Sequence, residues 1–143
     1  MSKQTIVIFE GVDKSGKSTL LKKFNELTNY KYWVLDRGFV SSLVYDELFN
    51  RGNREEYLKL AKKMCKEFNV HIVYCYASYF DIQKRLQEAN ETLPHELEDI
   101  LDVGDTFEYY LMQIHCNKLY LNTSEKSIDD CVRSIYQFVE GLL

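Results

Sequence analysis

Residues 4–10 read QTIVIFE, residues 11–18 read GVDKSGKS, and apolar residues then recur at Leu20, Leu21, Phe24 and Leu27. No other stretch constrains the fold as much. The first run is short, β-branched and aromatic, so it reads as a buried strand. The leucine and phenylalanine spacing is helical and predicts a helix from about Gly16 to Thr28. Between the two, Gly11 to Ser18 match G-x-x-x-x-G-K-[ST]. A strand therefore feeds a loop that ends at a helix N-terminus. Such a loop turns its N–H groups inward, and the helix dipole adds positive potential, so the junction suits a phosphate. Gly11 and Gly16 permit the backbone angles, Lys17 is expected at the β- and γ-phosphates, and the Ser18 hydroxyl is expected on Mg²⁺. The plainer alternative is a loop of this pattern that no longer supports turnover.

The rest of the chain alternates in the same way. KYWVLD (31–36), VHIVYCYA (70–77) and KLYLN (118–122) read as further strands. Ser41 is placed to cap a helix over about 42–50. Asn53 with Glu56 resembles a capping box that opens a helix with an apolar stripe of Tyr57, Ala61, Met64 and Phe68. Helices are also expected near 79–89, up to about 115 despite Gly104, and from a Ser127 cap onwards. The last of these carries Ile128, Cys131, Val132, Ile135, Phe138, Val139 and Leu142 as one stripe. NETLPHELED (90–99) is polar, holds the only proline and predicts a loop or lid. The order β-α-β-α-α-β-α-α-β-α predicts an α/β, three-layer fold. Its four-stranded, mostly parallel sheet would carry helices on both faces. At 143 residues the chain reads as one domain.

The formal net charge of −4 counts against broad binding of duplex DNA and leaves a local basic patch open. Cys65, Cys75, Cys116 and Cys131 form no CxxC pair, and His71, His95 and His115 show no ligand spacing, so free thiols are expected. No signal peptide is visible, and the apolar run at 6–9 is too short to span a membrane. These features predict a cytoplasmic protein. The motifs of a GTPase are not met. Asp36-Arg37-Gly38 is one residue short of D-x-x-G, and Asn117-Lys118 is followed by Leu119-Tyr120 rather than x-D.

FEGVDKSGKSTL (9–20), with its Glu10-Gly11-x-Asp13 start, resembles the phosphate loop of thymidylate kinase and related nucleoside monophosphate kinases. DRGFVSSLVY (36–45) resembles that family's D-R-Y-x-x-S-S/G-x-x-Y segment. The resemblance implies a P-loop nucleotide kinase fold and transfer of the γ-phosphoryl of ATP to a deoxynucleoside monophosphate. It implies a donor-nucleotide set of Gly11, Asp13, Ser15, Gly16, Lys17, Ser18, Thr19 and Thr123, with Ser124 and Lys126 near the adenine. Asp13 would approach the acceptor sugar, Asp36 would join Ser18 in holding Mg²⁺, and Arg37 would grip the acceptor phosphate. Ser41 or Ser42 would lie near the acceptor base. Lys14 stands where one branch carries an arginine that stabilises the transferring group, and Lys84 and Arg85 are further basic candidates. Helix capping explains Ser41 and Ser42 equally well, and a surface ion pair is the plainer alternative for Arg37.

The chain departs from the family pattern in three places. A strand and a helix between the first helix and the D-R segment are missing, Gly38 replaces the aromatic, and the lid near 88–102 (EANETLPHELEDILD) is acidic. The acceptor region is thus reduced. An acceptor that is a nucleoside, a modified base or a nucleic-acid end becomes an alternative, with nucleic acid disfavoured by the charge. A nucleotide-binding interaction protein with little turnover is a third reading. Relatives often pair through helices, so the stripe at 57–68 is either a homodimer contact or a core face.

Overall fold

The computed structural model describes residues 3–12, 14–89 and 97–142, with the backbone alone over 97–101. Four strands, β1 (Thr5–Glu10), β2 (Trp33–Asp36), β3 (Asn69–Tyr76) and β4 (Asn117–Asn122), form one parallel sheet in the order β2-β1-β3-β4. Among the described residues six helices connect and cover them: α1 (Lys17–Leu27), α2 (Phe39–Leu48), α3 (Arg54–Glu67), α4 (Tyr79–Glu88), α5 (Leu97–Gln113) and α6 (Ile128–Val139). The element order is the one read from the sequence, and α5 runs unbroken through Gly104.

Alternation along the strands divides the core into two layers. Ile6, Ile8, Val70, Ile72 and Tyr74 face α2, α3 and α5. Val7, Phe9, Val73, Cys75 and Leu121 face α1 and α6. Both faces of β1 and β3 are buried, which explains their near-continuous apolar sequence. The α3 stripe joins the first layer: Ala61 is buried, and Tyr57, Met64 and Phe68 pack against that cluster, while Lys62, Lys63 and Lys66 are exposed. The stripe is therefore a core face. All four cysteines are free thiols. No helix among the described residues is long and apolar enough to cross a membrane.

Two caps depart from expectation. Helix α2 begins at Phe39 with Gly38 at its N-cap, so Ser41 lies inside the helix rather than at its start. Asn53 does occupy the N-cap of α3, but its side chain makes no capping bond. Instead the Asn53 N–H donates to the Asp46 carboxylate at 2.9 Å. The Ser127 cap forms as read, with its hydroxyl accepting from the Asp130 N–H at 3.1 Å.

Strand β2 pairs with β1 alone and forms one edge of the sheet, with Trp33 half exposed against the ring edge of Phe68. In-register pairing of Phe9 with Asp36 aligns the carboxyl ends of β1 and β2. The loop after β1 and the turn after β2 therefore share the edge where open parallel sheets bind ligands.

Candidate active site

The loop after β1 is shaped by backbone geometry that few residues tolerate. Gly11 has φ +144°, and a Cβ there would lie 2.4 Å from the Cys75 carbonyl oxygen, so no larger residue fits. Gly16, at φ +92°, is the N-cap of α1, and Lys14 also takes a left-handed φ of 64°. Outside contacts hold this geometry. The Thr123 hydroxyl, just past β4, donates to the Ser15 carbonyl at 2.6 Å. Arg85 on α4 donates to the Lys14 carbonyl at 2.7 Å and to the Thr123 hydroxyl at 3.3 Å. A guanidinium and a threonine from two distant elements thus lock the loop. Lys84, the neighbouring basic candidate, is exposed.

A cleft of about 690 Å³ opens over this loop, lined on one side by Lys14, Gly16, Lys17, Ser18 and Thr19 and on the other by Arg85, Thr123 and Lys126. The volume lies in the range of small-molecule and cofactor sites. Ser124 stands apart from this lining, with its hydroxyl accepting from the Ser78 N–H at 2.7 Å. Ser15 is fully buried, and its hydroxyl has no hydrogen-bond partner among the described residues. Asp13 and most of the stretch read as a lid, residues 90–96, lie outside the described residues.

Lys17 is nearly buried, and its ammonium is paired with the carboxylate of Asp36 at the end of β2. An ammonium this far from water needs such a partner. The pair stands between the 690 Å³ cleft and the D-R-G turn. Ser18 and Asp36 both offer hard oxygen donors, the type Mg²⁺ selects. Among the described residues no group of three acidic, histidine or cysteine side chains gathers.

Arg37 has a left-handed φ of 68°, and its N–H donates to the Phe9 carbonyl at 2.8 Å. The next residue, Gly38, has a close neighbour on β1. A Cβ on Gly38 would lie 2.9 Å from Ile8 Cγ2, so the buried isoleucine leaves no room for an aromatic. Glu10 anchors the same turn. Its buried carboxylate accepts from the Gly38 N–H at 3.2 Å, from the Ser41 N–H at 3.0 Å and from the Ser41 hydroxyl. Burial pushes the Glu10 carboxyl above its usual range, and these bonds, with one from the Val40 backbone, only partly offset this. Ser41 is therefore tied to Glu10, while the Ser42 hydroxyl donates to the Gly38 carbonyl at 3.3 Å. The role of Glu10 was not read from the sequence, although a lone carboxylate ending an apolar strand is a signal for it. Arg85 was read as a basic candidate, but not as a clamp on the loop.

No protein-family model and no curated protein matches the chain. Solved structures do. YorR from Bacillus subtilis, in complex with phosphorylated GDP, superposes with a TM-score of 0.71 at 21% identity, covering 94% of this chain and 95% of that one. Deoxyadenosine kinase from M. mycoides with bound dCTP gives 0.68 at 13% identity, covering 96% and 100%. The same kinase with products dCMP and a flexible dCDP gives 0.67 at 10%. At these identities the likeness concerns the fold: an α/β fold shared with nucleotide-binding kinases over almost the full length of both chains.

Proposed function

We propose that the protein is an ATP-dependent, Mg²⁺-requiring nucleotide kinase that moves the γ-phosphoryl group to a deoxynucleoside monophosphate, in the manner of thymidylate kinase. The observation that carries this reading is the Lys17–Asp36 pair, which joins a locked phosphate loop to the D-R turn of the neighbouring strand. Phosphoryl transfer asks a protein for little covalent chemistry. It asks for both oxygens in line and for neutralisation of the charge on the transferring group. In this reading the loop N–H groups and Lys17 hold the donor phosphates, and Ser18 and Asp36 hold Mg²⁺. Arg37 grips the acceptor phosphate, and Lys14 adds charge from within the loop. Thr19 and Thr123 line the donor side, Ser41 and Ser42 the acceptor side, and Asp13 approaches the acceptor sugar. Held by Ser18 and Asp36, Mg²⁺ would supply positive charge against the charge developing on the transferring group. The deoxyadenosine kinase structures of this fold, solved with nucleotides, support the class of reaction.

A second reading, phosphorylation of a free nucleoside, is favoured by the fold shared with deoxyadenosine kinase and by the missing acceptor unit. The test is radiolabelled ATP with a panel of nucleosides, nucleoside monophosphates and 5′-hydroxyl oligonucleotides. Transfer to monophosphates supports the first reading, transfer to nucleosides the second. ATP binding with no transfer leaves an interaction protein.

A further inference from the structure

A second cleft, of about 440 Å³, opens at the β2 edge between α2 and α3. Its described lining includes Arg37, Ser42, Tyr45, Arg51 and Tyr57 and no carboxylate. In a chain of net charge −4 that is a local inversion of sign. The arginines belong to a stack. The Arg37 guanidinium lies 5.7 Å from the Tyr45 ring centroid, Tyr45 stacks on Phe49 at 6.2 Å with planes 15° apart, and the Arg51 guanidinium lies 5.1 Å from the Phe49 ring. Guanidinium, aromatic, aromatic and guanidinium thus follow one another away from Asp36 and Lys17.

The far end of the stack is held firmly. The Arg51 N–H donates to the Asp46 carbonyl at 3.1 Å, and the buried Asp46 carboxylate accepts from the Asn53 N–H. Asn50 and Gly52 flank Arg51 with left-handed φ values of 51° and 78°. The turn that carries Arg51 is therefore shaped by its own backbone.

Guanidinium groups take phosphates and paired base-edge acceptors. The volume suits one nucleotide rather than a strand. We infer that this cleft is the acceptor site, and that Arg51 is a specificity-determining residue for a nucleoside monophosphate. The acceptor phosphate lies at Arg37, and Arg51 bonds the edge of the base remote from the transferred group. The assignment rests on the kinase reading and replaces the lost strand–helix unit with the α2–α3 turn.

Calorimetric titration with the four common deoxynucleoside monophosphates and their nucleosides tests it, with a fluorescent ATP analogue as donor control. Arg51 is exposed, so Arg51→Met should fold. It is expected to weaken binding of the preferred monophosphate about tenfold, the effect of losing one bond to a charged group, and to leave donor binding unchanged. Arg51→Lys restores only part, because lysine lacks the fork. Equal monophosphate binding by wild type and Arg51→Met overturns the assignment. So does wild-type binding of nucleosides as tight as of monophosphates, tighter binding of a 5′-hydroxyl oligonucleotide, or no monophosphate binding at all. Arg51-dependent binding without phosphoryl transfer keeps the site and sinks the kinase reading.

Discussion

Gly38→Ala isolates the fit of the D-R-G turn against β1. The φ of Gly38, −148°, is extended, so φ itself is no obstacle to alanine. The added Cβ would sit 2.9 Å from Ile8 Cγ2 and 3.4 Å from its Cδ1, against ordinary contacts of 3.4–4 Å. Ile8 is fully buried in β1, between β2 and β3, and its branched side chain is stiff about χ1, so it yields poorly. Overpacking of this kind costs about 1–3 kcal/mol. Replacing glycine returns about 0.4–1 kcal/mol by restricting the unfolded chain. The net expectation is a loss of about 1–2 kcal/mol. The assay is urea unfolding of a double-mutant cycle with Ile8→Ala, which alone costs about 2–5 kcal/mol. In the Ile8→Ala background the clash is gone, so Gly38→Ala should be neutral or slightly stabilising. An equal cost in both backgrounds, within about 0.5 kcal/mol, refutes the steric account.

Other outcomes follow from the same contacts. Thr123→Val keeps the methyl group against Gly16 but removes the bond to the Ser15 carbonyl and the acceptor for Arg85. It should cost about 1–2 kcal/mol and raise the KM for ATP several-fold, as steady-state kinetics and urea unfolding will show; an unchanged KM contradicts the locking of the loop. The raised carboxyl of Glu10 has a signed consequence for pH. The folded chain takes up this proton more readily than the unfolded chain. The associated stability is therefore present below the ordinary glutamate value of 4.5 and is lost as pH rises through the raised value. Glu10→Gln, a mimic of the protonated acid, should remove that component. The wild-type minus variant difference, measured by urea unfolding from below the ordinary value of 4.5 upward, should fall with rising pH. A flat difference contradicts it.

The fold was legible where the chemistry was local. Strand β1, its glycine loop and α1 follow from adjacent residues, and the Ser127 cap reaches only to Asp130. Features made by distant pairs were not legible. Ser41 looks like a cap because its true partner, Glu10, lies 31 residues away on another strand. Gly38 looks like a lost aromatic contact until Ile8 is seen beneath it. Arg85 reads as a generic basic residue because the carbonyl it binds, on Lys14, is 71 positions distant. The Tyr45–Phe49 spacing is helical, but nothing nearby announces that guanidinium groups from two separate turns flank the pair.

The central claim is that Lys17, set between the loop and Asp36, supports transfer of a phosphoryl group between two nucleotides. Phosphorus NMR of wild type and Lys17→Met, each with ATP, Mg²⁺ and a deoxynucleoside monophosphate, tests it directly. Wild type should form ADP and a deoxynucleoside diphosphate in equal amounts, and Lys17→Met should form neither. ADP with inorganic phosphate only, or equal transfer by both proteins, would contradict the account.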